Sequence, residues 1–239
     1  MRKTIVLGFL LFLGFAIAFA PAGLIRIVFD RIDGATLIHP AGTIWRGQGQ
    51  IVIQENPLGT LAWDLHPATV LRGALGYDFD LALPTGEQLT GTATVGFNRS
   101  FEVQVSGTVP AVLVNGFLAP YDMVISGDLV LADAALAATG GIPQAAGGQV
   151  NWSGGQVRYI LSGRSLTSIL PPLVAYLGEG PEATVFAQNG QTPLIKAELL
   201  DTGFAKVGIT RLLTKMLDNP WPGSEPDHAV VLEVEEQVF

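Results

Sequence analysis

Leu75-Gly76-Tyr77-Asp78-Phe79-Asp80-Leu81-Ala82-Leu83 decides the fold. Leu75, Tyr77, Phe79, Leu81 and Leu83 alternate with Gly76, Asp78, Asp80 and Ala82. Successive side chains of a strand point to opposite faces, so this segment is a strand with one buried and one polar face. Pro84-Thr85-Gly86 supplies a turn. Leu89, Gly91, Ala93, Val95 and Phe97 then repeat the period, and Phe101, Val103 and Val105 repeat it again after Asn98-Arg99. Three such segments in succession predict an antiparallel meander.

Working outward, strand patterns fall at 35–38, 43–54, 59–66, 122–132, 148–161, 183–188, 194–200, 205–210 and 228–238. Helix is expected at 165–177, bent by Pro171-Pro172. It is also expected at 210–218, where Leu212, Leu213, Met216 and Leu217 take helical spacing and Pro220-Trp221-Pro222 stops the run. The fold class is therefore all-β: one extended antiparallel sheet, curled or folded on itself, with one N-terminal transmembrane helix and minor helical additions. The segment from Gly42 to Gly49 resembles that from Gln149 to Gln156, each with a Trp two residues before a Gly. Internal duplication and the mutual likeness of Gly-rich strands both account for this, so halves 26–139 and 140–239 are possible.

Arg2 and Lys3 precede an uncharged apolar run from residue 4 to residue 25. A run of this length can cross a hydrocarbon core, and the basic pair keeps the N-terminus cytoplasmic. The expected order is a cytoplasmic tip (1–3), a transmembrane signal anchor (4–25) and a periplasmic β-rich domain (26–239) at the cell inner membrane. Cleavage after Ala18-Phe19-Ala20 is the competing reading. Pro21 directly after that bond, and the apolar run continuing through Leu24 and Ile25, favour retention.

The 239 residues carry a net charge of −8; beyond the tip, 21 acidic side chains face 11 basic ones, a balance of −10. That surface suits neither nucleic acid, which needs a basic patch, nor anionic lipid, since no Lys/Arg cluster follows the anchor. There is no cysteine, which excludes disulfides, thiolate metal sites and thiol nucleophiles. Asn98-Arg99-Ser100 and Asn151-Trp152-Ser153 match the glycosylation pattern, which short sequences also meet by chance.

Catalytic signals are weak. His39, His66 and His228 are scattered and fit exposed or capping roles. No helical metal pair, nucleophile elbow, Walker lysine or dinucleotide fingerprint is present; Ser162-Gly163-Arg164-Ser165 lacks a base, and Gly47-Gln48-Gly49 is too short. Asp78 and Asp80 stand about 7 Å apart on one strand face. Glycosidic chemistry would need aromatic platforms beside them, and Tyr77 and Phe79 face the other way. Glu233, Glu235 and Glu236 read as charges guarding a final edge strand. No catalytic, cofactor or metal residue is assigned, and no enzyme activity is expected.

Gly42-Thr43-Ile44-Trp45-Arg46-Gly47, then Leu61-Ala62-Trp63-Asp64-Leu65-His66-Pro67 leading to Leu71-Arg72-Gly73-Ala74-Leu75, then Gly127-Asp128-Leu129-Val130-Leu131, follow one another in this order. With the apolar N-terminus and the length, that order resembles the protein N family of the type II secretion system. The resemblance marks Gly42, Thr43, Trp45, Gly47, Leu61, Trp63, Pro67, Gly73, Gly127 and Leu129 as structural motif residues. It implies an accessory inner-membrane subunit that supports export of folded proteins across the outer membrane, with other secretion subunits as partners. Exposed strand edges could pair with partner strands. The alternative is a periplasmic lipid-handling protein with an apolar β-groove; a hydrolase ranks third for want of a site.

Overall fold

The computed structural model describes residues 2–29, 34–53, 56–161, 163–178 and 180–237. Met1 of the expected tip, Gln54, Ser162 and Val238 lie outside them. Thirteen strands form one antiparallel sheet in the order β1 (Ala35–Gly42), β2 (Arg46–Ile53), β3 (Asn56–His66), β4 (Ala74–Ala82), β5 (Gln88–Gly96), β6 (Ser100–Val109), β8 (Leu129–Thr139), β9 (Ile142–Trp152), β12 (Leu173–Leu177), β13 (Glu182–Ala187), β14 (Pro193–Leu199), β15 (Phe204–Thr210) and β16 (Val230–Gln237). A small second sheet pairs β7 (Val124–Ile125), β10 (Gly155–Leu161) and β11 (Arg164–Leu170). The meander read from the sequence is β4–β5–β6, with Leu81 opposite Leu89 and Phe79 opposite Gly91. Asp78 and Asp80 are exposed on the outer face, while Leu81 and Leu83 are buried.

Antiparallel succession sorts the connections to two ends. At one end lie short links at 43–45, 67–73, 97–99 and 140–141; this is the hairpin end. The other, elaborated end holds the helix Ala111–Leu118, the small sheet, and the helix Arg211–Met216. The apolar core sits in two places on the inner face. One cluster joins Ala22, Leu37, Ile51, Trp63, Leu81, Leu83 and Leu89, with Leu113 of the Ala111–Leu118 helix packed against it. The other joins Trp152, Val157, Leu170, Leu194 and Leu213, so the small sheet and the Arg211–Met216 helix cover that part. Between them a half-buried row crosses the sheet: Tyr77, Ala93, Val103, Leu136 and Ala146, each opposite the next. Accessible surface is 14719 Å². A compact chain of 25.2 kDa exposes about 10,000 Å², so this sheet is open rather than closed on itself.

Three expectations are corrected. Residues 165–177 are not a bent helix but β11 and β12. Ser168 and Leu170 alternate inward while Thr167 and Ile169 face out, a period of two that the apolar composition obscured, and Pro171-Pro172 carries the chain between sheets. Residues 122–132 are two elements rather than one strand, and 148–161 likewise. The paired corners Ser126-Gly127-Asp128 and Ser153-Gly154-Gly155 turn both chains from one sheet into the other. There Gly127 has φ +82°, and an added Cβ would stand 2.6 Å from Ser153 Oγ. The cross-links are Trp152 Nε1–H to Ser126 O (2.9 Å), Asp128 N–H to Ser153 Oγ (3.0 Å) and Gln156 N–H to Ser126 Oγ (2.7 Å). The apolar N-terminal run also divides. A helix spans Arg2–Ala18, Pro21 follows, and a short 3₁₀ turn covers Ala22–Ile25. Among the described residues no helix is long and apolar enough to cross a membrane.

Gly91 tests the sheet's closeness of packing. A Cβ there would lie 2.7 Å from Phe79 Cζ and nearer still to the main-chain oxygen of Gln104. Gly91→Ala is expected to destabilise the domain by about 1–3 kcal/mol, read as a lowered urea midpoint; an unchanged midpoint would contradict this contact.

Candidate functional site at the helix exit

The first and densest family-like motif builds one device. Gly42 pairs with Gly47 at the end of β1 and β2, closing the hairpin whose turn is Thr43-Ile44-Trp45. Gly47 also stands opposite Trp63 of β3. A Cβ on Gly47 would come within 2.6 Å of Trp63 Cζ2 and of Ala41 O, so only glycine lets the indole lie against β2. Buried there, Trp63 donates Nε1–H to Thr43 O at 3.1 Å. The Thr43 hydroxyl accepts the Arg46 N–H at 3.2 Å and, together with the Thr43 N–H bond to Arg46 O (2.9 Å), locks the turn.

The locked turn grips the N-terminal segment at three points. Trp45 donates Nε1–H to Ile17 O at 2.9 Å, one of the last carbonyls of the helix Arg2–Ala18. Ile17 O also accepts Ala20 N–H at 3.2 Å as the helix ends, and the indole adds a second donor there, acting as a C-terminal cap. Ile44 N–H donates to Ala20 O at 3.0 Å, and Pro21 bridges to Thr43. Ala22 is then buried in the first core cluster, with Ile25 and Phe29 packed against it. The segment beyond Pro21 thus belongs to the β domain's core. The helix before it exposes apolar side chains on every side, from Val6 and Leu7 through Phe12 to Ile17. From Val6 to Ile17 the helix is therefore apolar all round.

The other motif residues support this socket or the second crossover. Leu61 packs on the first cluster beside Trp63. Pro67 opens the short helix Pro67–Val70, and Gly73 O accepts Phe97 N–H at 3.1 Å, tying neighbouring hairpin ends together. Gly127 sits at the sheet-to-sheet corner, and Leu129 is opposite Trp152. Trp45 occupies a turn at the hairpin end while Trp152 ends a strand at the other, so the two do not occupy equivalent places. On the outer face His66 Nε2 lies 2.7 Å from Asp78 Oδ2, and Arg46 pairs with Asp64. Arg46, Asp64, Asp78 and Asp80 line one depression on this face.

The two sheet edges differ. In β1, His39 has φ 51° and is followed by Pro40, with a register break between Ile38 and Ala41. Proline and an irregular register blunt an edge against further pairing. In β16, Leu232 and Val234 face in and remain exposed, and the edge opposite β15 has no strand beside it among the described residues. Glu233 lies 3.0 Å from Lys206, and this bond, ahead of Coulombic attraction, raises the lysine's pKa. Tyr121 donates to Glu236 at 2.7 Å, which chiefly raises the tyrosine's pKa.

Fold and socket together define a class: an open β-sheet domain fixed at its first hairpin to an apolar N-terminal helix. Residues 33–208 match the family described as type II secretion system (T2SS), protein N. The chain belongs to the type II secretion system protein N family. The type II secretion system protein N of Vibrio cholerae serotype O1 (strain ATCC 39315 / El Tor Inaba N16961) is 38% identical over 69 residues, covering 28% of this chain and 27% of that relative. No solved structure gave a significant match.

Trp45→Phe keeps a six-membered aromatic ring and removes the indole donor to Ile17 O, leaving Ala20 N–H on that carbonyl. It is expected to cost about 0.5–1.5 kcal/mol and to speed amide exchange in residues 14–20 while β4–β6 exchange is unchanged. Uniform exchange across both regions would contradict the cap.

Proposed function

We propose that this chain is an accessory inner-membrane subunit of the type II secretion system. The Arg2–Ala18 helix anchors it as a single pass, with the N-terminus cytoplasmic and the β domain periplasmic. It supports export of folded proteins across the outer membrane through contacts with other subunits rather than by catalysis. The observation that carries this reading is the socket: an all-round apolar helix held to a rigid sheet by Trp45, Ile44 and Pro21. Arg2 and Lys3, the first residues of the helix, set the orientation.

The unpaired edge of β16 is the surface this reading assigns to partners. Strand addition supplies main-chain hydrogen bonds from the edge and specificity from side chains. Glu233 and Glu235 on the outer face favour a partner strand with basic residues. Leu232→Lys with Val234→Lys is expected to leave the protein's abundance and thermal midpoint close to wild type, because both positions are already exposed. Secretion of folded exoproteins should fall. Normal secretion from a stable double variant would remove this edge from the account.

The half-buried row from Tyr77 to Ala146 favours a second reading, a groove that carries lipid. Deletion in the native host separates the two. Folded exoproteins retained in the periplasm behind an intact outer membrane support the secretion role. A leaky outer membrane with normal secretion would overturn it in favour of lipid handling.

A further inference from the structure

The sequence shows no basic cluster near the apolar helix, yet folding assembles one. At the hairpin end, three links carry exposed apolar side chains: Leu71 (91% exposed) in 67–73, Phe97 (67%) in the β5–β6 turn, and Ile142 (41%) beside the β8–β9 turn. Main-chain bonds knit the links into one rim. Phe97 N–H donates to Gly73 O at 3.1 Å, and Gly140 N–H donates to Arg99 O at 3.0 Å. Arg72 and Arg99 are exposed on the same links, and residues 67–73, 97–99 and 140–142 contain no carboxylate. In a chain of net charge −8, this is a local positive surface.

The helix leaves the domain beside this rim. Trp45, which caps Ile17, accepts Leu65 N–H through its carbonyl, and the 67–73 link starts two residues later. Seventeen residues of α-helix span about 25 Å, against about 30 Å of hydrocarbon. A short span is accommodated by drawing its flanks into the interface. Because the socket holds the helix end to the sheet, the flank drawn in here is the hairpin end itself. Phe15 and Phe19, with ring centroids 4.4 Å apart, and Trp45 place aromatics at that level, where interfacial aromatics settle.

We propose that the rim of Leu71, Phe97 and Ile142, flanked by Arg72 and Arg99, docks on the bilayer surface, with the arginines on anionic phospholipid headgroups and the apolar tips below them. The inference rests on the anchoring reading above. It makes the β domain stand on the membrane at its hairpin end, with the elaborated end directed away.

The chain has no cysteine, so single-cysteine variants can be labelled cleanly. Full-length Leu71→Cys, Phe97→Cys, Phe12→Cys and Ser224→Cys would carry an environment-sensitive fluorophore. Each would be reconstituted in phosphatidylethanolamine–phosphatidylglycerol vesicles containing doxyl-lipid quencher. Expected is strong quenching at Phe12, Leu71 and Phe97 and none at Ser224, which lies in the loop at the elaborated end. In an Arg72→Glu, Arg99→Glu background, rim quenching should drop severalfold while Phe12 quenching persists. Quenching at Phe12 with rim labels left in water would overturn the docking, leave the anchor standing and return the rim to protein partners. Rim quenching that ignores both charge reversals would overturn headgroup recognition. No quenching at Phe12 would overturn the anchoring reading and the docking with it.

Discussion

The packing of the Trp63 indole across Gly47 is the contact on which the rest of this structure depends. It can form only because Gly47 has no side chain, and it delivers Nε1–H to the Thr43 carbonyl. That bond fixes the first hairpin turn, and the turn in turn fixes Ile17, Ala20 and Pro21. A motif that looks like generic glycine-and-tryptophan packing is therefore the joint between two environments. On one side the chain enters the core through Ala22; on the other it leaves as a helix whose apolar side chains from Val6 to Ile17 are exposed.

The openness of the sheet follows from the same economy of covering. Two parts of the inner face receive a second layer: the side of the first strands, from the N-terminal segment and the Ala111–Leu118 helix, and the side of the later strands, from the small sheet and the Arg211–Met216 helix. The row between them is half-buried. Among the described residues such a sheet keeps two edges; each has a register break, and of the two strands β1 is the one with a proline inside it. The asymmetry leaves β16 as the edge suited to pairing, with acidic residues setting what can approach.

Much of this was legible from periodicity. The β4–β6 meander, the strands flanking it and the helix before Pro220 follow from alternation and proline rules acting locally. What was not legible depended on long-range contacts. Residues 165–177 carry enough leucine to suggest a helix; pairing of β11 with β10, and of β12 with β9 and β13, makes them strands. The Ala111–Leu118 helix was missed because Gly116 and Pro120 interrupt its pattern; Asn115, bonded to both main-chain groups of Ile125, secures it in the fold. The uncharged run 4–25 reads as one span by composition; Pro21 is the local sign of its division, and Trp45 and Ile44, far along the chain, bond to the carbonyls beside it. The motif residues were readable as packing positions, but their joint role as a socket was not. The rim arginines, 27 positions apart in sequence, become neighbours only through hairpin ends that bond to each other.

The socket holds the helix end to the sheet through Trp45, Ile44 and Pro21, which sets the helix at a fixed angle. Electron–electron distance measurement tests it most directly, using spin labels at Phe12→Cys and Asn98→Cys in the full-length, reconstituted protein. The account predicts one narrow distance distribution, broadened when Trp45→Ala removes the cap. A distribution already broad in the intact socket, and unchanged by Trp45→Ala, would contradict it.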